Sequence, residues 1–347
     1  MTRPPLRVAV IGYGLAGRVF HAPLVAAEPD MEVAAIVTGD AGRRAAAAGD
    51  HPGARVLPSA DALWDDPSAI DLVVIAAPNR AHVPLARAAI AAGLPVVVDK
   101  PLAPDGAQGR ALVDEARAAG VMLTVFQNRR WDADFLTVRR VLAEGTVGEP
   151  VRFESRFDRW RPQVNADAWR ERDDPEDAGG LLADLGSHLI DQAIMLFGPP
   201  VEVRAELDRR RPGARVDDDV FVDLTHPGGV RSHLGATMLA AAPGPRMRLT
   251  GLEGTYDVHG LDGQEAALRD GLRPGDPGFG EVPEGEWGTL SDGGPERPVP
   301  SERGDYPAFY RGVAGTLRGG SPPPVDPAAA VLVLDVIDAA RADARRG

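Results

Sequence analysis

Cysteine is absent from this sequence of 347 residues. The absence excludes disulfides, zinc–thiolate sites and a thiol nucleophile. Positive charge is also scarce, with 38 Lys and Arg against 51 Asp and Glu, which argues against nucleic acid or an anionic membrane as the main partner. No apolar run approaches the about 18 residues of a membrane-spanning helix, and residues 1–5 leave no room for a signal peptide. We therefore expect a soluble cytoplasmic protein, long enough for two domains.

A short apolar run near the start of the chain leads without a gap into a glycine-rich segment. Residues 7–17 read Arg-Val-Ala-Val-Ile-Gly-Tyr-Gly-Leu-Ala-Gly. In this pattern Gly12 allows a tight turn, Gly14 lets the backbone approach a pyrophosphate, and Gly17 lets the next helix pack closely. The predicted helix offers its N-terminus to the phosphates, and a second strand follows at residues 31–38. The order predicts dinucleotide binding rather than an ordinary strand–turn–helix connection.

Strands and helices alternate through the first third of the chain in a way that implies parallel pairing. The short runs rich in β-branched residues are typical of strands buried on both faces, and the predicted helices between them end at glycines. These elements lie at residues 71–77, 82–92, 94–98, 107–119 and 121–126. The sequence thus predicts an α/β fold whose N-terminal domain, residues 1–125, is a Rossmann doubly wound parallel sheet with ligands at the carboxyl ends of its strands.

The pattern changes after residue 125, and residues 126–347 are predicted to form a second domain. Its middle reads as strands joined by Pro and Gly turns. Residues 271–304 are rich in Gly and Pro and are predicted as loops. Two predicted helices close the chain. The predicted elements are helices 131–144, 306–317 and 326–340 and strands 150–159, 201–207, 220–225, 230–238, 246–250 and 254–259.

The end of the second strand bears on the choice of cofactor. It ends at Thr38, a neutral residue where an NAD-preferring site usually places an acid for the ribose 2′-hydroxyl. Arg43 and Arg44 follow closely and would tolerate a 2′-phosphate, which favours NADP. Two alternatives stay open: the arginines only cover a solvated helix face, or Asp40 still reaches the ribose. The sequence therefore predicts NADP, with NAD as the alternative.

Two further strand ends carry polar residues. Ala77, Pro78 and Asn79 either line the nicotinamide side of the site or form an ordinary turn. Asp99, Lys100 and Pro101 end the next strand, where the Lys100 ammonium could hydrogen-bond a substrate oxygen and stabilise alkoxide character as hydride moves. The alternative is a surface lysine paired with its neighbouring aspartate.

A second polar cluster follows at residues 179–192. With about 100° per residue, as in an α-helix, Asp184, His188 and Asp191 fall on one stripe. Imidazole suits proton transfer near neutral pH, and a neighbouring carboxylate can orient it. The same trio could instead be metal ligands, although no other His or acid stands at recognisable ligand spacing, or part of a structural helix with a hydrogen-bonded core histidine.

Together these segments resemble the Gfo/Idh/MocA oxidoreductases. The resemblance rests on the glycine-rich turn, residues 77–79, the Lys100-Pro101 pair and the cluster around His188, and it extends over nearly the whole chain. Within the family, the chain is most similar to the NADP-dependent scyllo-inositol dehydrogenase branch. The segments most similar to that branch are residues 14–24, 128–132 and 184–188.

The resemblance implies hydride transfer between nicotinamide C4 and a carbon of a sugar or cyclic polyol. Lys100 would hold the reacting oxygen, His188 would be the acid/base, and Asp184 would position the substrate or the imidazole. The family's usual Glu-Lys-Pro is Asp-Lys-Pro here, so Asp99 is one methylene shorter. The bond between Lys100 and Pro101 is commonly cis in the family.

The resemblance also implies a C-terminal α+β domain with a large, mostly antiparallel sheet, of the kind used for homodimer or homotetramer contacts. The alternative is a non-catalytic NADP(H)-binding sensor or regulatory subunit, which need not retain the lysine, the aspartate and the histidine together. The predicted cofactor-binding residues are Gly12, Gly14, Leu15, Gly17, Thr38, Arg43, Arg44, Ala77, Pro78, Asn79, His82 and Lys100. The predicted substrate-binding residues are Lys100, Asn128, Arg129, Asp184 and His188.

Overall fold

The computed structural model describes residues 3–165 and 168–346. The chain folds into two compact units, and neither unit is one continuous stretch of sequence. The predicted domain boundary between residues 125 and 126 stays a prediction. Unit 1 contains Met1–Asn128, Gln264–Phe279 and Asp305–Val331, and unit 2 contains Arg129–Gly263, Gly280–Gly304 and Leu332–Gly347.

The strands belong to two sheets, one in each unit. They are β1 Leu6–Ile11, β2 Met31–Val37, β3 Arg55–Leu57, β4 Leu72–Ile75, β5 Val96–Asp99, β6 Leu123–Phe126, β7 Pro150–Asp158, β8 Glu202–Asp208, β9 Asp219–Thr225, β10 Arg231–Thr237, β11 Met247–Gly251, β12 Thr255–Val258, β13 Gly288–Ser291 and β14 Arg297–Val299.

The helices include two segments with π-helical winding, Ala16–His21 and Leu182–Gly186, each directly followed by an α-helix. No helix among residues 3–165 and 168–346 is long and apolar enough to cross a membrane. The α-helices are α1 Ala22–Ala27, α2 Ala41–Asp50, α3 Asp61–Trp64, α4 His82–Ala91, α5 Gly106–Ala119, α6 Ala133–Ala143, α7 Ser187–Phe197, α8 Gln264–Arg269, α9 Pro307–Leu317 and α10 Pro327–Ala344.

Unit 1 is built on a six-stranded sheet with the order β3-β2-β1-β4-β5-β6. All of its strand pairs are parallel. The central strands are runs of Val, Ile, Leu and Ala, and β4 is buried at every residue, as expected of a strand covered on both faces. This order confirms the predicted Rossmann fold, and it places the carboxyl ends of β1, β2, β4 and β5 at one edge of the sheet.

Unit 2 is built on an eight-stranded sheet with the order β14-β13-β12-β11-β7-β10-β9-β8. The pair β7 and β10 is parallel, and the other pairs are antiparallel, which confirms the mostly antiparallel sheet. Buried residues alternate along β9 and β10, because one face of the sheet packs on a core. That core includes Phe135 of α6, Leu189 of α7 and Ile337 of α10.

The prediction of loops throughout residues 271–304 is wrong. This segment contains β13 and β14, which extend the sheet of unit 2 beyond β12. β14 is an edge strand of three residues, and an edge position tolerates Pro298, which cannot donate a ladder hydrogen bond. Strands this short, in a segment rich in Gly and Pro, leave little periodicity to detect.

Candidate active site

The turn after β1 requires glycine at two positions. Gly12 has a φ of +101°, and a Cβ built there would lie 2.4 Å from the carbonyl oxygen of Ala76. A Cβ built at Gly17 would lie 1.9 Å from the carbonyl oxygen of Gly12. Both distances are far below van der Waals contact, so a side chain at either position would displace the turn from β4 or lift the following helix. The packing is that of a phosphate-binding turn.

The open side of this turn is at Gly14. The nearest atom to a Cβ built there is Nη1 of Arg43, 3.6 Å away. Leu15 is 42% exposed beside it, and the helix that begins at Ala16 directs its first N–H groups to the same end. An uncovered glycine, free helical N–H groups and a nearby guanidinium are the donor set that a diphosphate requires, so the turn fits a dinucleotide.

The end of β2 gives Arg43 and Arg44 different contacts. Arg44 Nη1 donates to the carbonyl oxygens of Thr38 at 3.2 Å and Gly39 at 2.7 Å, so this guanidinium holds the backbone of the strand end. Asp40 is the N-cap of α2, and its Oδ1 accepts the backbone N–H of Arg43 at 2.8 Å. The Asp40 carboxylate is thus engaged in capping, whereas the Arg43 guanidinium lies over the glycine-rich turn.

The end of β4 is braced by a buried histidine. Ala77, Pro78 and Asn79 follow the strand, and Asn79 is 6% exposed. His82 is 1% exposed, and its Nε2 lies 2.9 Å from the carbonyl oxygen of Ala77. Its Nδ1 lies 2.7 Å from the carbonyl oxygen of Pro101. Both ring nitrogens therefore face backbone carbonyls, so His82 ties the loop after β4 to the loop after β5.

Lys100 stands directly after β5, where the sequence places it. The Lys100–Pro101 peptide bond is cis, as predicted. Asp99 Oδ1 accepts the backbone N–H of Lys100 at 2.8 Å, which holds the carboxylate against the lysine backbone. Burial alone would raise the pKa of Asp99, but two neighbouring histidines and Lys100 lower it overall, so the group is a carboxylate at neutral pH.

In unit 2, two buried arginines lie over one aromatic ring. The guanidinium carbons of Arg129 and Arg246 are 5.1 Å and 4.1 Å from the ring centroid of Phe157. Arg246 Nη1 also donates to Ser155 Oγ at 2.6 Å. The imidazole of His188 lies at the edge of the same ring, with 6.5 Å between the centroids. His188 is 5% exposed, so its ring is largely shielded from water.

Three aspartates belong to the same cluster. Asp132 Oδ2 accepts from Arg129 at 3.2 Å, Asp134 Oδ2 is 3.5 Å from Arg246 Nε, and Asp262 Oδ2 accepts the backbone N–H of Ala133 at 2.8 Å. Burial, and then the charges of the two other carboxylates, raise the pKa of Asp132 well above its usual range despite the arginine beside it.

Arg130 forms a buried bidentate ion pair with Asp191 of α7. Arg130 Nε and Nη2 donate to the two oxygens of Asp191 at 2.8 Å and 2.6 Å. Gln192 Nε2 donates to the carbonyl oxygen of Arg129 at 2.9 Å. These bonds hold Arg129, a predicted substrate residue, and Arg130 against α7.

The predicted single stripe of Asp184, His188 and Asp191 assumes an unbroken α-helix, and that assumption is wrong. Residues Leu182–Gly186 wind as a π-helix before α7 begins, so each residue there advances the chain by less than the α-helical angle. Asp191 pairs with Arg130, and Asp184 Oδ2 lies 3.3 Å from Arg170 Nε. The part of the chain that the structure describes has no group of three acids or histidines suited to a metal.

The predicted residues thus fall into two sets. Three of them belong to unit 2, namely Arg129, Asp184 and His188. The others belong to unit 1: the glycines of the turn, Leu15, Thr38, the two arginines of α2, residues 77–79, His82, Lys100 and Asn128. No sequence motif reveals Phe157, Arg246, Asp134 and Asp262, because they come from separate strands, helices and loops and share no regular spacing.

The chain matches two family models. A model for an NAD-binding Rossmann-fold domain of the Gfo/Idh/MocA oxidoreductases matches residues 6–127, and a model for the Gfo/Idh/MocA C-terminal domain matches residues 135–257.

Similar proteins match over almost the full length. The oxidoreductase YdgJ of Escherichia coli K12, itself uncharacterised, is 43% identical over 96% of this chain and 94% of its own. The scyllo-inositol 2-dehydrogenase (NADP⁺) IolW of Bacillus subtilis 168 is 36% identical over 96% of this chain and 92% of its own. Among solved structures, an oxidoreductase from Bacillus cereus has a TM-score of 0.88 at 28% identity and covers 97% of this chain and 96% of its own.

Proposed function

Because this chain belongs to the Gfo/Idh/MocA family of oxidoreductases, we propose that it transfers a hydride between NADP(H) and a carbon of a sugar or cyclic polyol. The NAD-binding family domain and the glycine-rich turn support the dinucleotide, and the name of IolW supports a cyclic polyol of the inositol kind. When bound, the cofactor supplies or accepts the hydride at nicotinamide C4. The side chains of this protein provide binding, orientation and proton transfer.

The observation that supports the chemistry most strongly is the single lysine of the chain. Of its 38 Lys and Arg residues, Lys100 alone is a lysine. Every other basic position, exposed or buried, is an arginine, so the composition of this protein favours arginine wherever a positive charge suffices. A lysine at the mouth of β5 therefore points to a role that requires a compact ammonium, such as a hydrogen bond to the reacting oxygen.

His188 is proposed as the acid/base that exchanges the hydroxyl proton of the substrate. Imidazole can both accept and donate a proton near neutral pH. Its burial, at 5% exposure beside the ring of Phe157, keeps the imidazole away from bulk water. Asp184 is proposed to position the substrate or the imidazole from the π-helical turn just before α7.

The preference for NADP over NAD is proposed to depend on Arg43 more than on Arg44. Arg44 is already bonded to two backbone carbonyls, whereas the Arg43 guanidinium lies over the open glycine of the turn. Arg43→Ala should raise the KM for NADP⁺ and leave that for NAD⁺ nearly unchanged, because a charged hydrogen bond to phosphate contributes about 1.5 to 3 kcal/mol. The ratio of kcat/KM for the two cofactors measures the effect.

Arg110→Ala, on the polar face of α5, is the matched control and should leave that ratio at the wild-type value. A wild-type enzyme with far better kcat/KM for NAD⁺ would refute the proposed preference. A ratio that falls only in Arg44→Ala would assign the 2′-phosphate to the other arginine.

A dehydrogenase screen tests the proposed function directly. Inositols and aldoses are offered with NAD⁺ and NADP⁺ in parallel, and the corresponding ketones and lactones with the reduced cofactors, while absorbance reports the nicotinamide. We expect turnover with at least one inositol or aldose, and faster turnover with NADP⁺. Tight binding of NADPH without turnover on any compound would contradict the proposal and indicate a sensor or regulatory subunit.

A further inference from the structure

Three side chains of unit 1 form a string of polar contacts that ends at the backbone of Lys100. Tyr310 Oη lies 2.6 Å from His21 Nδ1, and His21 Nε2 lies 3.8 Å from Asp99 Oδ2. Asp99 Oδ1 accepts the backbone N–H of Lys100 at 2.8 Å. His21 and Tyr310 are fully buried, so neither is placed to touch a ligand. We refer to Tyr310, His21 and Asp99 as the Tyr310–His21–Asp99 string.

The direction of the string follows from its chemistry. The ring nitrogen that faces a carboxylate favours a proton, so His21 directs its Nε2–H to Asp99 and leaves Nδ1 facing the Tyr310 hydroxyl. Burial, and then the charge of Asp99, raise the pKa of Tyr310 well above its usual range, so its hydroxyl keeps its proton and donates to Nδ1. At 3.8 Å the contact between His21 and Asp99 is electrostatic rather than a hydrogen bond.

The string joins parts of unit 1 that are distant in sequence. His21 is the last residue of the π-helical segment after the glycine-rich turn, Tyr310 belongs to α9, and Asp99 ends β5. The ring of Phe126 at the end of β6 lies 4.4 Å from that of His21 and limits its rotation. The imidazole is therefore held in one plane, with its Nε2 directed to Asp99.

We propose that His21 and Tyr310 are positioning residues for Lys100. They fix the Asp99 carboxylate, and that carboxylate fixes the backbone and the electrostatic surroundings of the lysine. The proposal rests on the proposed role of Lys100 at the reacting oxygen. It gives a function to His21 and Tyr310, which are not among the predicted cofactor-binding or substrate-binding residues.

Removing one hydroxyl tests the string with little disturbance of packing. Tyr310→Phe should lower kcat with NADP⁺ and the best substrate from the screen by about 10-fold, since even small displacements of a group at the reacting atoms are costly. NADPH affinity and the thermal midpoint should stay close to those of the control Tyr306→Phe. The control removes an equally buried hydroxyl from the residue just before the same helix.

A conservative replacement at His21 gives a second test. His21→Gln keeps an amide N–H that can reach Asp99, whereas His21→Leu has none. If the string positions Lys100, the glutamine variant should retain more of the wild-type kcat than the leucine variant. Equal losses in both, matched by equal losses in thermal midpoint, would show that the histidine only fills space.

The single lysine allows a measurement that needs no turnover. Acetylation of Lys100 by an amine-reactive ester is followed by mass spectrometry, with the α-amino group of the chain as an internal reference. We expect faster acetylation in Tyr310→Phe and His21→Leu, because the lysine is held less firmly, and the wild-type rate in Tyr306→Phe.

The two measurements separate this proposal from the proposed function. Wild-type acetylation rates in both Tyr310→Phe and His21→Leu would overturn the positioning role. Altered acetylation together with full turnover of a Lys100→Met variant would support the positioning role but refute the proposed role of Lys100 in the reaction.

Discussion

Replacing His188 by alanine is expected to lower kcat by about 10²- to 10⁴-fold, the usual contribution of a general acid or base. The histidine is 5% exposed and adjoins Phe157 in unit 2, a setting in which water cannot readily replace the imidazole. The Kd for NADPH should stay near that of wild type, because the predicted cofactor residues belong to unit 1. Steady-state turnover and fluorescence titration with NADPH measure the two quantities.

His233→Ala is the matched control for this prediction. His233 lies on β10, its side chain is 28% exposed, and its Nε2 is 3.6 Å from Asp223 Oδ1. It is not one of the predicted site residues. The control should turn over like wild type. If His188→Ala keeps more than about half of the wild-type kcat while hydride transfer is rate-limiting, the histidine is structural and the acid/base must be sought elsewhere.

Replacing Lys100 by arginine is expected to lower kcat by about 10²- to 10³-fold, although the charge is retained. The guanidinium is larger and planar and directs its N–H groups in a fixed fork, so it cannot take the place of a compact ammonium at a reacting oxygen. Lys100→Ala should lose as much turnover and should also raise the KM of the substrate if the lysine holds the oxygen before reaction. Steady-state kinetics of wild type, Lys100→Arg and Lys100→Ala measure kcat and the KM of the substrate.

Arg117→Lys provides the reverse exchange as a control. This arginine lies on α5 with its side chain 72% exposed and pairs with its helical neighbour Asp114, so the variant should turn over like wild type. Added propylamine should restore part of the turnover of Lys100→Ala, because it supplies the missing ammonium. Wild-type kcat in Lys100→Arg would show that the lysine serves only as a positive charge.

Much of the fold could be predicted because its signals are local. The glycine-rich turn follows an apolar strand directly, and the strands of unit 1 are short β-branched runs that only a parallel sheet buries on both faces. In unit 2 the period-two alternation along β9 and β10 indicated strands with one buried face. β13 and β14 lacked such signals, because they have only four and three residues; β13 pairs with β12, and β14 pairs with β13.

The candidate site was predictable only in part. Lys100 and His188 stand out by residue type and by their place at element ends, and the composition itself contains a single lysine. The buried contacts around these residues do not stand out in the sequence. The pair of Arg130 and Asp191 and the contact of His21 with Tyr310 join positions that are far apart along the chain. The π-helical turn around Asp184 also escaped detection, because a helical projection assumes the α-helical angle throughout.

The most direct measurement is the fate of the hydride itself. NADPH carrying deuterium at both hydrogen positions of nicotinamide C4 is incubated with the enzyme and with the ketone of the best substrate from the screen, and the product is examined by NMR and mass spectrometry. The proposed hydride transfer predicts one deuterium on the new carbinol carbon in wild type, and almost none in His188→Ala over the same time. Product that forms without deuterium on that carbon, or deuterated cofactor that binds and is recovered unchanged with every ketone of the screen, would contradict it.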